Sequence, residues 1–141
     1  MNTRPKTTQR LWALAAFILL FLPIQNLAAE TVLKTVSADE FFSEFEKLDN
    51  DGDAVVIDVR TPEEYASGHA GDALNIDFYD EDFRQSLDAL DKESAYFIYC
   101  RSGSRSGRTL SLMKDLGFTR VYDLAGGWSR NSARLSEIEG E

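Results

Sequence analysis

The sequence predicts a single α/β domain in which a mostly parallel central sheet is flanked by helices on both faces. Two continuous apolar runs, residues 54–57 and 95–99, are typical of strands buried on both sides. Segments with apolar residues at helical spacing alternate with these runs, and no repeat or low-complexity linker interrupts the order. Strands that alternate with helices through short loops favour parallel pairing.

The first helix is predicted by a capping box, formed by Ser37 and Glu40 ahead of an apolar stripe that begins at Phe41. Its length corresponds to about three turns. The acidic stretch that follows, residues 49–53, resembles a calcium loop in composition only. Its glycine comes one place early, and Arg60 stands where a bidentate glutamate would fall. We interpret this stretch as a solvated turn.

The first buried strand, residues 54–57, leads directly to Asp58 and Arg60, so charged side chains stand at its carboxyl end. Thr61 and Pro62 then predict the N-cap and the first residue of a short helix. The elements after this helix follow the same alternation: a short strand at 73–76, a helix carrying Phe83, Leu87 and Leu90, the strand at 95–99, a helix at 105–116 that Gly117 ends, and a last strand at 119–122.

The tail, residues 132–141, is polar, and we expect it to fray.

Residues 1–29 have the features of a secretory signal peptide. Arg4, Lys6 and Arg10 precede an apolar run at 11–22, and small residues near Ala29 suit cleavage. The run is short for a bilayer span, which needs about 20 residues, and an uncleaved N-terminal anchor is the alternative. We therefore expect an exported protein, in the periplasm of a Gram-negative cell, with no stable membrane association after cleavage.

The mature chain, residues 30–141, has the length of one compact domain, with its core at about 35–130. Loss of the leader leaves 12 basic and 24 acidic residues, a net charge of −12. This charge argues against nucleic acid and anionic membrane surfaces as partners. The chain has one cysteine and one histidine, so metal-ligand spacing is lacking and we expect no metal and no cofactor.

The only cysteine, Cys100, directly follows the second buried strand and opens a loop rich in serine, glycine and arginine. Converging backbone N–H groups and the positive end of the next helix would favour its thiolate. A core cysteine at a strand end is the alternative, but the loop composition favours a reactive thiol. Because parallel strands share a functional edge, Asp58 and Arg60 are expected beside Cys100.

Five groups of short stretches follow one another along the chain: 56–60 with 62–65, 68–69 with 73–76, 99–106, 116–118 and 124–128. In these stretches the chain is similar to the single-domain rhodaneses, a sulfurtransferase family, and the resemblance covers nearly all of residues 35–128. Residues 70–72, Ala-Gly-Asp, depart from the family, which usually has an apolar residue followed by Pro-Gly.

The resemblance implies that Cys100 attacks the sulfane sulfur of a donor such as thiosulfate and carries it as a persulfide. The outer sulfur would then pass to a thiol, cyanide or a protein acceptor. Asp58 and Arg60 would brace the loop through an ion pair, and His69 would lie in a structural turn. The implied substrate-binding residues are Arg101, Ser102, Gly103, Ser104 and Arg105. Their backbone N–H groups would cradle the persulfide, and Arg105 and Arg101 are the candidates for binding the anionic donor.

Two alternatives belong to other functional classes. A sulfur carrier or protein-binding module with little turnover would use the same domain. A cysteine phosphatase or arsenate reductase would also place a thiolate in an anion-binding loop, but such loops have five residues between cysteine and arginine. Here four residues separate Cys100 from Arg105, and Tyr99 replaces the histidine that precedes the phosphatase cysteine. The sulfurtransferase is the stronger hypothesis.

Overall fold

A computed structural model describes residues 30–138, which form five strands and five helices in strict alternation. The leader at 1–29 lies outside the described residues, as do residues 139–141. The elements are β1 Val32–Val36, α1 Ala38–Asp49, β2 Ala54–Asp58, α2 Pro62–Ala66, β3 Leu74–Asn75, α3 Phe83–Asp88, β4 Ala95–Tyr99, α4 Ser104–Asp115, β5 Arg120–Leu124 and α5 Gly127–Leu135.

All strands pair in parallel, in the order β1-β5-β4-β2-β3. β4 lies at the centre, and all five of its residues are buried, as its continuous apolar run predicted. Because the strands are parallel, the carboxyl ends of β2 and β4 meet at one edge, where Asp58 stands opposite Tyr99. This register brings the two charged residues after β2 next to the loop that follows β4.

The two faces of the sheet carry separate apolar clusters. Phe41 and Phe45 of α1 pack edge-on against Phe97 on one face. On the other face, Leu87 of α3 and Met113 of α4 are buried with Ile98. Helices therefore cover both faces of a parallel sheet, and the predicted fold class is confirmed. Among residues 30–138, no helix has both the length and the apolar character needed to cross a bilayer.

The predicted N-caps form as expected. Ser37 Oγ accepts a hydrogen bond from the Glu40 N–H at the start of α1. At the start of α2, Thr61 Oγ1 and the Glu64 carboxylate each bond the other residue's backbone N–H, which completes a capping box. The α2 cap matters for the site, because it fixes the position of Glu64 at the carboxyl edge of the sheet.

Two elements were not predicted, and the expected fraying of the tail was wrong in its first part. β1 carries a mixed, half-exposed pattern and gave no strand signal. α5 begins after two glycines and is mostly polar, but Leu135 near its end is fully buried. Leu135, together with the partly buried Trp128, docks the helix on the sheet face that carries α1, so the chain is helical as far as Leu135.

Candidate active site

Cys100 lies at the carboxyl end of β4, in the short loop that runs to the first residue of α4, Ser104. The loop turns through Gly103, whose φ of +101° lies in the left-handed region that favours glycine. Gly103 is also the N-cap of α4, and no side chain caps the helix there. The first N–H groups of α4 therefore have no side-chain acceptor at the N-cap, and the sulfur of Cys100 lies beside them.

The sulfur accepts hydrogen bonds from the loop. The Gly103 N–H lies 3.1 Å from Cys100 Sγ, and the Ser106 hydroxyl lies 3.5 Å from it. Burial alone would raise the pKa of the thiol, because Cys100 has no exposed surface. Hydrogen bonds from the Ser106 side chain and from the N–H groups of Ser106, Gly103 and Ser102 together outweigh burial and lower the pKa. The loop therefore stabilises a thiolate at a buried position.

The carbonyl groups of the loop are held from outside by α5. The Trp128 N–H donates to the Cys100 carbonyl at 2.8 Å, and the Ser129 N–H donates to the Arg101 carbonyl at 2.9 Å. Gly127 allows this approach, because a Cβ at that position would collide with the Cys100 carbonyl oxygen. The N-terminus of α5 is therefore a structural part of the cysteine loop.

Asp58 and Arg60 form a buried ion pair beside the loop. Arg60 Nε lies 3.0 Å from both carboxylate oxygens of Asp58, and Arg60 Nη2 lies 2.6 Å from Asp58 Oδ2. Nη2 also donates to the Gly68 carbonyl, and the guanidinium carbon lies 4.4 Å from the centre of the Trp128 ring. The pair thus reaches the cysteine loop through Trp128, the residue whose N–H holds the Cys100 carbonyl.

The predicted donor-binding residues differ in their surroundings. Arg101, Ser102 and Ser104 are exposed, whereas Gly103 is half-buried. Arg105 is committed to a neighbour: its two terminal nitrogens lie 2.7 and 2.9 Å from the carboxylate oxygens of Glu64. The hydrogen bonds from Arg105 hold the pKa of Glu64 at about 2, so this carboxylate is ionised at any physiological pH. Arg105 is therefore neutralised in the structure.

His69 lies in the turn after α2, as its expected structural role requires. Its ring stacks on Tyr65 with the ring centres 3.7 Å apart, and its Nδ1 lies 2.9 Å from the Tyr65 carbonyl. Among residues 30–138, no three His, Cys, Asp or Glu side chains gather as metal ligands would.

The sequence did not assign a role to several residues that the fold brings to this edge. Ser106 and Glu64 both belong to sequence motifs that match the family. The position of Ser106 in the first turn of α4 could have indicated its contact with the sulfur. The others carry no local signal, because their partners are distant in the chain. Glu64 was predicted only as part of the α2 cap, and the residues without any predicted role are Ser106, Asp123, Gly127 and Ser129.

The family model described as the rhodanese-like domain matches residues 42–133, which include the whole cysteine loop and its supports. The chain belongs to the rhodanese-like domain family. The resemblance noted in the sequence is thereby confirmed.

Relatives of this rhodanese-like chain include proteins named as sulfurtransferases. It is 34% identical over 98 residues to a sulfurtransferase of Allochromatium vinosum, with 67% of this chain and 90% of the relative covered. It is 33% identical over 70 residues to the thiosulfate sulfurtransferase PspE of Escherichia coli, with 50% of this chain and 67% of the relative covered. The structure of the human single-domain sulfurtransferase TSTD1 shares 27% identity at a TM-score of 0.55, covering 71% of this chain and 95% of that one. The family thus contains sulfurtransferases of the same single-domain size.

The buried ion pair of this rhodanese-like domain gives a testable prediction. Replacement of Asp58 by alanine leaves the buried charge of Arg60 without its partner, so we expect the free energy of unfolding to fall by about 3–5 kcal/mol. Urea denaturation followed by circular dichroism measures this change. The matched control is Asp39→Ala, which removes an exposed ion pair with Arg134 and should cost far less. Equal losses in the two variants would contradict the structural role of the buried pair.

Proposed function

We propose that the protein is a sulfurtransferase that moves a sulfane sulfur from thiosulfate, or a similar small anion, to a thiophilic acceptor through a persulfide on Cys100. The observation that carries this proposal is the position of Cys100 Sγ, 3.1 Å from the Gly103 N–H at the start of α4. The thiol is the only one in the chain, and its pKa is lowered by donors that also suit an anionic sulfur.

In the first half-reaction, the Cys100 thiolate attacks the outer sulfur of the donor. A new S–S bond forms at Sγ, the S–S bond of thiosulfate breaks, and sulfite leaves with the electron pair. Charge moves from one sulfur to the next, so no proton has to be transferred. The N–H groups of Ser102, Gly103 and Ser106 are oriented before the reaction and would hold the anionic persulfide as they hold the thiolate.

In the second half-reaction, the acceptor attacks the outer sulfur of the persulfide and Cys100 leaves as a thiolate. Cyanide, a small thiol and a protein thiol all satisfy this chemistry. The loop makes the Cys100 thiolate a good leaving group, because the hydrogen bonds that lower the pKa of the thiol also stabilise the thiolate as it departs. The same loop therefore serves both halves of a ping-pong cycle.

Replacement of Cys100 tests this proposal. We expect the purified residues 30–141 to form sulfite and thiocyanate from thiosulfate and cyanide, and the Cys100→Ser variant to form neither. Mass spectrometry after incubation with thiosulfate alone should find one additional sulfur atom on Cys100 of the wild type. Ser111→Ala, an exposed change on α4, is the matched control and should retain full activity.

Two results would change the proposal. A persulfide without turnover in the wild type would support the sulfur-carrier alternative. Thiocyanate formation by Cys100→Ser at the wild-type rate would exclude Cys100 as the sulfur-bearing residue.

The donor-binding role of Arg105 gives a second prediction, because Glu64 already occupies this guanidinium. A dianionic donor has to displace Glu64 before it binds Arg105. Glu64→Gln removes the competing charge and retains the capping box, since glutamine is also accepted in the third helical position. We expect the KM for thiosulfate to fall about three- to tenfold at low ionic strength with little change in kcat, and the gain to shrink as salt is added.

The double variant Glu64→Gln with Arg105→Gln is the control for this experiment. It should lose the gain in thiosulfate affinity, because no guanidinium remains to be released. An unchanged or higher KM in the single variant would assign donor binding to Arg101 and the loop N–H groups instead.

We also propose that the domain acts outside the cytoplasm, as the leader-like residues 1–29 suggest. In a Gram-negative host, the mature protein should begin near Glu30 and appear in the fraction released by osmotic shock. N-terminal sequencing and cell fractionation of the full chain measure this. Retention in the membrane fraction after a high-salt wash would favour an uncleaved anchor.

A further inference from the structure

Tyr79, in the segment between β3 and α3, is an exposed aromatic residue that the reaction above does not use. It is 68% exposed, and Tyr79 and Leu74 are the large apolar residues among residues 30–138 that remain exposed. The ring centre of Tyr79 lies 5.6 Å from the guanidinium carbon of Arg105, in the first turn of α4. Tyr79 therefore stands at the edge of the sheet where Cys100 lies, with most of its surface open to solvent.

The segment that carries Tyr79 is held in place by its neighbours. The Phe78 N–H donates to the Val59 carbonyl at 3.3 Å, just beyond the end of β2. The Phe78 ring centre lies 5.1 Å from the guanidinium carbon of Arg108, one turn further along α4. Together with the contact between Tyr79 and Arg105, this second arginine–aromatic pair fixes the segment against α4. An aromatic side chain that is already fixed loses little freedom when a partner covers it, and tyrosine is enriched among the residues that dominate binding at protein interfaces.

Three exposed arginines stand around the cysteine loop, and no carboxylate among residues 30–138 forms an ion pair with any of them. They are Arg101 in the loop, Arg108 in the second turn of α4 and Arg130 near the start of α5. The stem of Arg130 covers Gly126, because a Cβ on that glycine would lie 2.6 Å from Arg130 Cδ. A Cβ on Gly103 would in turn lie 3.5 Å from the Gly126 nitrogen. The arginines therefore flank the cysteine loop on both its α4 side and its α5 side.

Unpaired arginines are unexpected on this domain, because residues 30–141 contain 12 basic and 24 acidic residues. Several acids of this edge are already engaged. Asp58 and Glu64 are bound in the ion pairs described above. Asp77 and Asp80 each accept a backbone N–H of their own loop, at 3.0 and 2.8 Å. The cysteine loop is thus bordered by positive charge on a body whose net charge is −12.

A partner that carries carboxylates around a thiol matches this surface. The arginines would attract it while the rest of the acidic domain would repel it, so the field of the domain favours approach to the cysteine loop. Cys100 has no exposed surface, and the acceptor thiol must therefore come from an extended or protruding segment. Arg108 lies four residues, or about 6 Å, beyond the first residue of α4. Since an extended chain advances about 3.3 Å per residue, acids two to four residues from the acceptor cysteine would reach the arginines.

We propose that Tyr79, Arg101, Arg108 and Arg130 form a docking surface for a protein acceptor whose cysteine lies on an extended segment rich in aspartate or glutamate. This inference deepens the proposed function and rests on it. The acceptor sulfur bonds to the outer sulfur of the persulfide, and the S–S bond to Cys100 breaks with its electron pair on Sγ. The thiol proton of the acceptor passes to water.

Binding can be tested without turnover. Three nine-residue peptides, with serine in place of the central cysteine and with aspartate, glycine or lysine at the flanking positions, are titrated into ¹⁵N-labelled Cys100→Ser protein. At low ionic strength the aspartate peptide should bind about tenfold more tightly than the glycine peptide, and added salt should reduce the difference. Its amide shift changes should map to Tyr79, the cysteine loop and the starts of α4 and α5. The lysine peptide should leave these signals unchanged.

A charge reversal on α4 tests the arginines. Arg108→Glu should weaken binding of the aspartate peptide about tenfold. Lys114→Glu is the matched control, because Lys114 is an exposed residue in the last turn of the same helix and has no ion pair among residues 30–138. It changes the net charge equally and should weaken binding less than twofold.

The aromatic contact is tested by Tyr79→Ala, which should weaken binding about threefold, whereas Tyr79→Phe retains the ring and should bind as the wild type does. Leu74→Ala, at the other exposed apolar residue, is the control and should leave binding unchanged.

Sulfur transfer provides a separate readout. Protein persulfidated with thiosulfate is mixed with the aspartate peptide that carries a central cysteine, and mass spectrometry measures the sulfur gained by the peptide. Arg108→Glu and Tyr79→Ala should raise the KM for this peptide about three- to tenfold. With cyanide as acceptor, their effect on the KM for thiosulfate should be much smaller, whereas a general structural disturbance would change both.

Three results would overturn the inference. They are equal binding of the aspartate and lysine peptides, equal losses in Arg108→Glu and Lys114→Glu, and sulfur transfer to the tripeptide Asp-Cys-Asp that is as efficient as transfer to the nine-residue peptide. The last result would identify a small acidic thiol as the acceptor. Selective binding of the aspartate peptide by a domain that forms no persulfide would contradict the proposed function and support the docking surface.

Discussion

The site depends on the hydrogen bonds by which the N-terminus of α5 holds the carbonyl groups of the cysteine loop. The Trp128 and Ser129 N–H groups bind the carbonyls of Cys100 and Arg101. A peptide unit is planar and trans, so fixing a carbonyl outward turns the N–H of the same unit inward. The Ser102 N–H, which shares a peptide unit with the Arg101 carbonyl, indeed lowers the pKa of Cys100. The orientation of this N–H towards the sulfur thus depends on α5, a helix that begins more than twenty residues later in the chain.

Two buried groups at this edge of the sheet, the Asp58–Arg60 ion pair and the Cys100 sulfur, are stabilised in different ways. Arg60 and Asp58 neutralise each other completely, with three side-chain hydrogen bonds between them, and so support the fold without reacting. The sulfur of Cys100 is stabilised instead by hydrogen-bond dipoles of the backbone and of Ser106. Arg105, a cation that interacts electrostatically with Cys100, is paired with Glu64. Ion pairs thus fix charged groups at this edge, whereas neutral hydrogen-bond donors stabilise the sulfur.

The elements that the sequence predicted are those with a strong local pattern. β2 and β4 are continuous apolar runs, and α1 and α2 begin at caps that can be recognised from four consecutive residues. β1 and α5 lack such patterns. β1 is an edge strand that is half-exposed, and α5 is held by Leu135 and by its contact with the cysteine loop rather than by an apolar stripe. Their structure follows from long-range contacts that no local window contains.

The sequence by itself determined the fold class, the family motifs, the single thiol and the loop that surrounds it, because these depend on residues adjacent in the chain. It also placed Asp58 and Arg60 beside Cys100, since parallel strands share one edge. Only the tertiary structure decided the partners of the remaining charged groups. Glu64 meets Arg105 across 41 residues, and Asp123 meets Thr35 across 88. The packing of whole elements decides which of these residues meet. The hydrogen bond of Asp123 and the ion pair of Arg105 therefore could not be predicted from the sequence.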